Sequence, residues 1–226
     1  MPDADHAIDF WSSVASVFKN NSAVIFDLYN EPFLNNNENT AAGWNCWKNG
    51  GTCPGLGYQA AGFQSLINAV RNAGARNIVM LGGMQWSNIM DQWMNYLPTD
   101  PLGIKYSRYC LQKGNIAASW HSYNFNECIT QDCWDATIAP IAAKYPVITG
   151  ELGENDCNSD YVTPLMQWLD QHEISYLAWE WNTYEYVVRS FFSHFFCCSS
   201  GPSLISNYDG TPTNYGAGVQ KYFLYN

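Results

Sequence analysis

Two glutamates close apolar runs in this chain. AVIFDLYNEPF, residues 23–33, climbs through Val24, Ile25, Phe26 and Leu28 and ends in Asn30-Glu31-Pro32. PVITGE, residues 146–151, does the same and delivers Glu151. A third run, NIAASWHSY (115–123), ends in His121-Ser122-Tyr123. Gln85-Trp86 follows NIVMLGG (77–83), and Trp179 and Trp181 close ISYLAWEWN (174–182). Two carboxylates at separate strand tips suit general acid–base work. A glycosidic bond needs that pair: one proton for the leaving oxygen, and a second carboxylate for the anomeric carbon. Retaining chemistry holds the carboxyls about 5 Å apart, and inverting chemistry holds them further apart to admit water. Either glutamate alone reads as an ordinary strand-end carboxylate. Sharing one face with His121, Tyr123 and a Trp would set the pair apart.

The elements that must position these residues follow from periodicity. Residues 4–20 place Ile8, Trp11, Val14, Ala15 and Phe18 at helical spacing. Residues 23–29 read as a buried strand, 58–73 as an amphipathic helix stopped by Gly74, and 77–83 as a second strand. Residues 84–114 mix short helix and loop, broken at Pro98 and Pro101. The strand at 115–123 is followed by a helix at CWDATIAPIAAKY, a strand at 146–151, a helix at YVTPLMQWLDQHE, and a fifth strand at 174–182. A short helix near GAGVQKYFL closes the chain. Five near-continuous apolar strands with intervening helices predict a parallel sheet built from βα units, covered on both faces. No linker or repeat divides the chain, so residues 1–226 read as a single domain. In a parallel α/β barrel the C-terminal strand ends share one face, where the active site is built.

Composition narrows the partners. Of 226 residues 47% are hydrophobic and 13% charged, which allows a sizeable core and disfavours long disordered tracts. The net charge of −10, with no Lys/Arg-rich segment, disfavours nucleic acid and anionic membranes. No apolar run reaches membrane-spanning length. Ten Trp and fifteen Tyr supply core rings, or faces that stack on sugars. Eight Cys in polar, loop-like contexts lack zinc spacing and indicate an extracytoplasmic, disulfide-bearing protein. Cys46–Cys53 and Cys128–Cys133 are the expected pairs. The first ten residues are acidic and polar, not a signal peptide, so a secreted protein would have its targeting segment outside this chain. Glu154, Asp156 and Asp160 could form a calcium loop, but their spacing is not that of an EF-hand, and a solvated loop is the plainer reading. His6, His172 and His194 show no ligand spacing, and Ser122 lacks the elbow of a serine hydrolase. No metal or cofactor is expected.

The set YNEP (29–32), HSY (121–123), GELG (150–153) and AWEW (178–181), in that order, resembles family five of the glycoside hydrolases, the cellulase-type clan with a (β/α)8 barrel. The resemblance runs from Ala23 to the tail. It implies Glu31 as acid/base, Glu151 as nucleophile, Asn30 on the sugar 2-hydroxyl, and Tyr123 orienting the nucleophile. It implies His121 beside the acid/base and Trp179 as the platform beneath the sugar. Trp181 follows by strand alternation, and Trp86 is a candidate outer subsite.

Two departures accompany the resemblance. In the family the strand ending in NEP is the fourth of eight, and here it is the first. The chain therefore reads as a partial TIM-type barrel of five parallel strands, corresponding to strands four to eight. The family's active-site Arg and His from earlier strands have no counterpart. A complete barrel takes about 250 residues. The second departure is TYEYVVRSFFSHFFCC (183–198), which is strongly apolar for a loop and reads as barrel packing or a surface for another chain. Two open sheet edges predict self-association, with a second polypeptide or a fragmentary chain as rivals. The expected activity is retaining hydrolysis of a β-1,4-glucan. The alternatives are a mannanase, xyloglucanase or β-1,3-glucanase, and a carbohydrate-binding protein with lost catalysis.

Overall fold

The computed structural model describes residues 1–34, 39–103, 114–156, 158–183 and 201–225. The apolar segment at 183–198 lies, apart from its first residue, outside them. Five parallel strands form one sheet in the order β1-β4-β5-β6-β7, with helices in the connections, a partial (β/α) barrel. They are β1 (Phe26–Asp27), β4 (Val79–Gly82), β5 (Ile116–Tyr123), β6 (Val147–Gly153) and β7 (Ser175–Ala178). The chain divides into two compact units, Met1–Trp120 with Pro140–Val147, and His121–Ala139 with Ile148–Asn226.

In the first unit, helix α1 (Ala7–Phe18) packs on α3 (Phe63–Asn72), which also meets α2 (Ala41–Asn49). β1 lies parallel to β4, with Phe26 opposite Val79, and β4 lies parallel to β5, with Val79 opposite Ile116. The core collects Trp44, Trp47, Phe63, Leu66, Leu81 and Trp93, all fully buried. Two of these indoles anchor β4, Trp47 donating to the Gly82 carbonyl at 2.8 Å and Trp93 to that of Leu81 at 3.0 Å. A small antiparallel hairpin, β2 (Gly50–Thr52) with β3 (Gln59–Ala61), occupies residues expected to be partly helical. The Cys46–Cys53 disulfide ties α2 to the hairpin loop. After β4 the chain makes a tight turn, α4 (Met84–Ser87), in which Gln85, Trp86 and Ser87 lie in the left-handed region at φ 51°, 56° and 61°.

In the second unit β6 lies parallel to β7, with Ile148 opposite Ser175. Helix α7 (Val162–Gln171) packs on α8 (Asn214–Tyr225), joined by the Tyr222 hydroxyl donating to Asp170 at 2.6 Å. The predicted CWDATIAPIAAKY helix forms as α5 (Gln131–Cys133), a π turn (Trp134–Ile138) and α6 (Ala139–Ala142). Cys128–Cys133 closes its start. Both expected disulfides are therefore present. β7 stops at Ala178, so Trp179 and Trp181 stand beyond the strand, and strand alternation does not govern where they point.

Candidate active site

In the first unit the tip of β1 is a turn. Leu28 is buried, Tyr29 half-buried, Asn30 exposed and Glu31 half-buried. Glu31 lies in the left-handed region at φ 47°, an uncommon conformation for a residue with a side chain. The neighbours over-determine that turn. The Leu28 carbonyl accepts the Trp11 indole N–H at 2.9 Å. The carbonyl of buried Pro32 accepts the Trp86 amide at 3.3 Å. Phe33 stacks on the Trp86 ring with centroids 4.7 Å apart. Gly82 makes room, since a Cβ there would stand 3.1 Å from Pro32 Cδ and 2.3 Å from Ser87 Oγ. Trp86 is 47% exposed, at the rim of this tip rather than in its core. Asn30 also borders a cleft of about 770 Å³ lined by Trp11, Asp27, Tyr29 and Tyr58.

In the second unit three predicted residues meet. All eight residues of β5 are buried, including His121 at 2% exposure. The Tyr123 hydroxyl donates to Glu151 Oε2 at 2.5 Å. His121 Nδ1 lies 3.4 Å from the same oxygen. Alternation along β5 puts residues 121 and 123 on one face and Ser122 on the other. Fully buried Ser122 is bonded there to the Tyr161 hydroxyl at 2.6 Å. Gly153 lets the Tyr123 ring lie against β6, because a Cβ there would come within 3.0 Å of that ring and 2.8 Å of Pro202. Tyr123 also stacks on Phe125, with centroids 5.0 Å apart. The Trp179 amide donates to the Leu152 carbonyl at 2.8 Å, beside Glu151, and the buried Tyr215 hydroxyl lies 3.0 Å from the carbonyls of both Leu152 and Trp179. Trp179 is thus fixed by its backbone while its side chain stays 40% exposed; Trp181 is 65% exposed.

Residues 2–185 match the sequence model of Cellulase, described as glycosyl hydrolase family 5. The chain belongs to that family. It is 25% identical over 183 residues to the beta-mannanase/endoglucanase A of Caldicellulosiruptor saccharolyticus, covering 77% of this chain and 11% of that protein. Among solved structures it is similar to the beta-glucanase SdGluc5_26A of Saccharophagus degradans, in its native form (20% identity, TM-score 0.65). The same enzyme in complex with cellotetraose gives 19% identity and a TM-score of 0.66. It is also similar to XacCel5A in complex with cellopentaose, at 17% identity and a TM-score of 0.61. These likenesses cover 96% of this chain and 59% of SdGluc5_26A or 64% of XacCel5A. The chain therefore spans less than two thirds of the proteins it matches.

One residue of this family 5 chain escaped the sequence reading. Glu180 stands between the two strand-end tryptophans, half-buried. Its carboxyl is held above the usual range, first by burial and second by the charge of Glu151, against a hydrogen bond from Asn182 that lowers it. The signal was present as a carboxylate inside AWEW. Glu154, considered for calcium, serves α7 instead. Its Oε2 accepts the amides of Tyr161 at 2.8 Å and Val162 at 3.3 Å, at the helix N-terminus. Burial pushes its carboxyl up. His6 is exposed and bonded to Asp3 at 2.8 Å, and His172 Nδ1 meets the Trp168 carbonyl at 2.8 Å. His194 lies outside the described residues.

Proposed function

We propose that this chain hydrolyses β-1,4-glycosidic bonds in a β-glucan with retention, by double displacement. The observation that carries the reading is the Glu151 carboxylate, half-buried at a strand tip and held by a 2.5 Å hydrogen bond from Tyr123. A nucleophile must be ionised and aimed, and a hydrogen bond to the charged form favours both. Glu151 attacks the anomeric carbon while Glu31 protonates the departing oxygen. Glu31 then takes a proton from water as the water oxygen bonds the anomeric carbon, and the bond to Glu151 breaks, releasing the sugar and the Glu151 carboxylate. Asn30 bonds the sugar 2-hydroxyl, an interaction that strengthens in the transition state. His121 lines the cleft and holds the hydrogen-bond network. Trp179 stacks beneath the sugar, and Trp181 and Trp86 extend the aromatic surface, which suits a polymer attacked internally. The reading requires Glu31 and Glu151 to come within about 5 Å in the working enzyme.

A glucan is supported by the cellotetraose and cellopentaose complexes of the similar structures, and mannan by the mannanase name of the curated relative. The test is trapping with a 2-deoxy-2-fluoro-cellobioside bearing an activated leaving group. We expect a covalent adduct on a peptide containing Glu151; labelling elsewhere, or turnover with inverted product, overturns the mechanism. A second reading is favoured by one observation: among the described residues the sheet has five parallel strands, where a closed barrel has eight. That reading is glycan binding without turnover, and it predicts cellotetraose binding with no reducing sugar released from carboxymethyl-cellulose.

Two further proposals follow. The disulfides at Cys46–Cys53 and Cys128–Cys133 support an extracellular working place. Exposed Ile25 beside β1 and Leu177 on β7, the outermost strands of the sheet, support self-association that covers the edges. A monomeric mass by sedimentation across the micromolar range overturns that association.

A further inference from the structure

The segment after β7 is built more firmly than its exposure suggests. The Glu180 amide donates to the Pro202 carbonyl at 2.7 Å, and the Glu180 carbonyl accepts the amides of Asn182 and Leu204, each at 2.9 Å. One residue upstream, Trp179 is fixed to the residue after Glu151 by its amide N–H, which donates to the Leu152 carbonyl. The side chain is oriented as well. Asn182 bonds the Glu180 carboxylate, and Asn182 Oδ1 is itself occupied by the Tyr208 hydroxyl and the Thr183 amide, each at 2.7 Å. That leaves the Asn182 amide N–H groups to face Glu180.

A carboxylate offers about four lone-pair positions. Asn182 uses part of that capacity, and the tryptophans on either side in sequence, Trp179 and Trp181, are both exposed. This combination suits a pyranose ring: a flat apolar face for stacking, and a rim of hydroxyl donors for a fixed anion. Two carboxylates near each other repel, and the Glu151 charge helps to raise the Glu180 carboxyl. Such an arrangement is characteristic of functional sites.

We propose that Glu180 is a substrate-recognition residue, which accepts hydrogen bonds from neighbouring hydroxyls of the β-glucan sugar stacked on Trp179. The inference rests on the proposed catalytic reading of this site. The raised carboxyl of Glu180 agrees with it, because an anion short of solvation gains most from hydroxyl donors.

The test separates binding from turnover. Cellotetraose affinity is measured by calorimetry for Glu151→Gln and for Glu151→Gln/Glu180→Gln, alongside steady-state kinetics of Glu180→Gln alone. We expect affinity to fall about 10-fold or more in the double variant, as for loss of a charged hydrogen bond. KM of the single variant should rise by a similar factor with kcat changed less. Glu180→Asp, which keeps the charge but shortens its reach, should fall between, and it serves if Glu180→Gln does not fold. An unchanged Kd across these variants overturns the role of Glu180. Wild-type turnover by Glu151→Gln overturns the catalytic reading instead, and the affinity comparison still decides Glu180. No measurable binding of cellotetraose to any form overturns both.

Discussion

Different grips stand out at the two carboxylate tips. Glu151 stands in β6 and is gripped at its charged end, with the Tyr123 hydroxyl and His121 Nδ1 both directed at one oxygen. Glu31 stands in a turn in the left-handed region, and the structure grips its backbone through buried Pro32, the Trp86 amide and the Phe33–Trp86 stack. The difference fits the proposed division of labour. A nucleophile keeps one ionisation state and one direction, so donors fixed on its oxygen help it. An acid that becomes a base must be well placed in both protonation states, and a backbone held in place serves both.

The sharpest way to break this contrast is to remove each charge in turn. Glu151→Gln should lower kcat on carboxymethyl-cellulose on the order of 10^5-fold, as for loss of a covalent nucleophile. Retention of even a tenth of the activity overturns the assignment. Glu31→Gln should cost less, about 10^2- to 10^4-fold, the range of general acid–base catalysis. Its loss should also depend on the substrate. An aryl cellobioside with a good leaving group needs no proton, so its first step should stay near the wild-type rate while a poor leaving group shows the full loss. Equal losses on both leaving groups contradict the acid role.

The same contrast marks how far the sequence could be read. The second tip was legible almost to the residue: β5 was expected at 115–123 and spans Ile116–Tyr123, because a strand buried on both faces is a continuous apolar run. At the first tip, a strand expected at 23–29 pairs only at Phe26–Asp27. Among the described residues β1 has one neighbouring strand, β4, and Ile25 just before it is 43% exposed. The helix expected from residue 58 begins at Phe63, since Gln59–Ala61 pair with Gly50–Thr52. That pairing is a hairpin with residues seven to eleven positions upstream, which helical periodicity does not register. The motif glutamates, Tyr123 and His121 were nominated by type and order alone. Glu180 was missed because the tryptophans on either side accounted for the motif, and its interest comes from a charge neighbour that only the fold supplies.

Tyr123→Phe tests the grip on Glu151 alone. The hydroxyl goes while the ring, its stack on Phe125 and its fit over Gly153 remain. A hydrogen bond to a charged group contributes about 1.5–3 kcal/mol, so kcat/KM should fall about 10- to 150-fold with little change in thermal stability. A fall below threefold would mean that the short bond orders the fold more than the nucleophile.

The smallest effect tests whether the strand tip is an electrostatic unit. Glu180 is raised by burial and, secondarily, by the charge of Glu151. Replacing Glu151 by Gln removes that negative neighbour, so the Glu180 anion becomes less unfavourable and its pKa moves down. Burial is the larger cause and survives the substitution, so Glu180 should still titrate above an ordinary glutamate. Carbon-13 NMR of the side-chain carboxyls, followed through acid pH, reads this directly. A Glu180 curve that stays in place or moves up would show the two carboxylates to be uncoupled. The grip on Glu151 would then rest on the hydrogen bond from Tyr123 and the nearby His121 Nδ1, with no contribution from its charged neighbour.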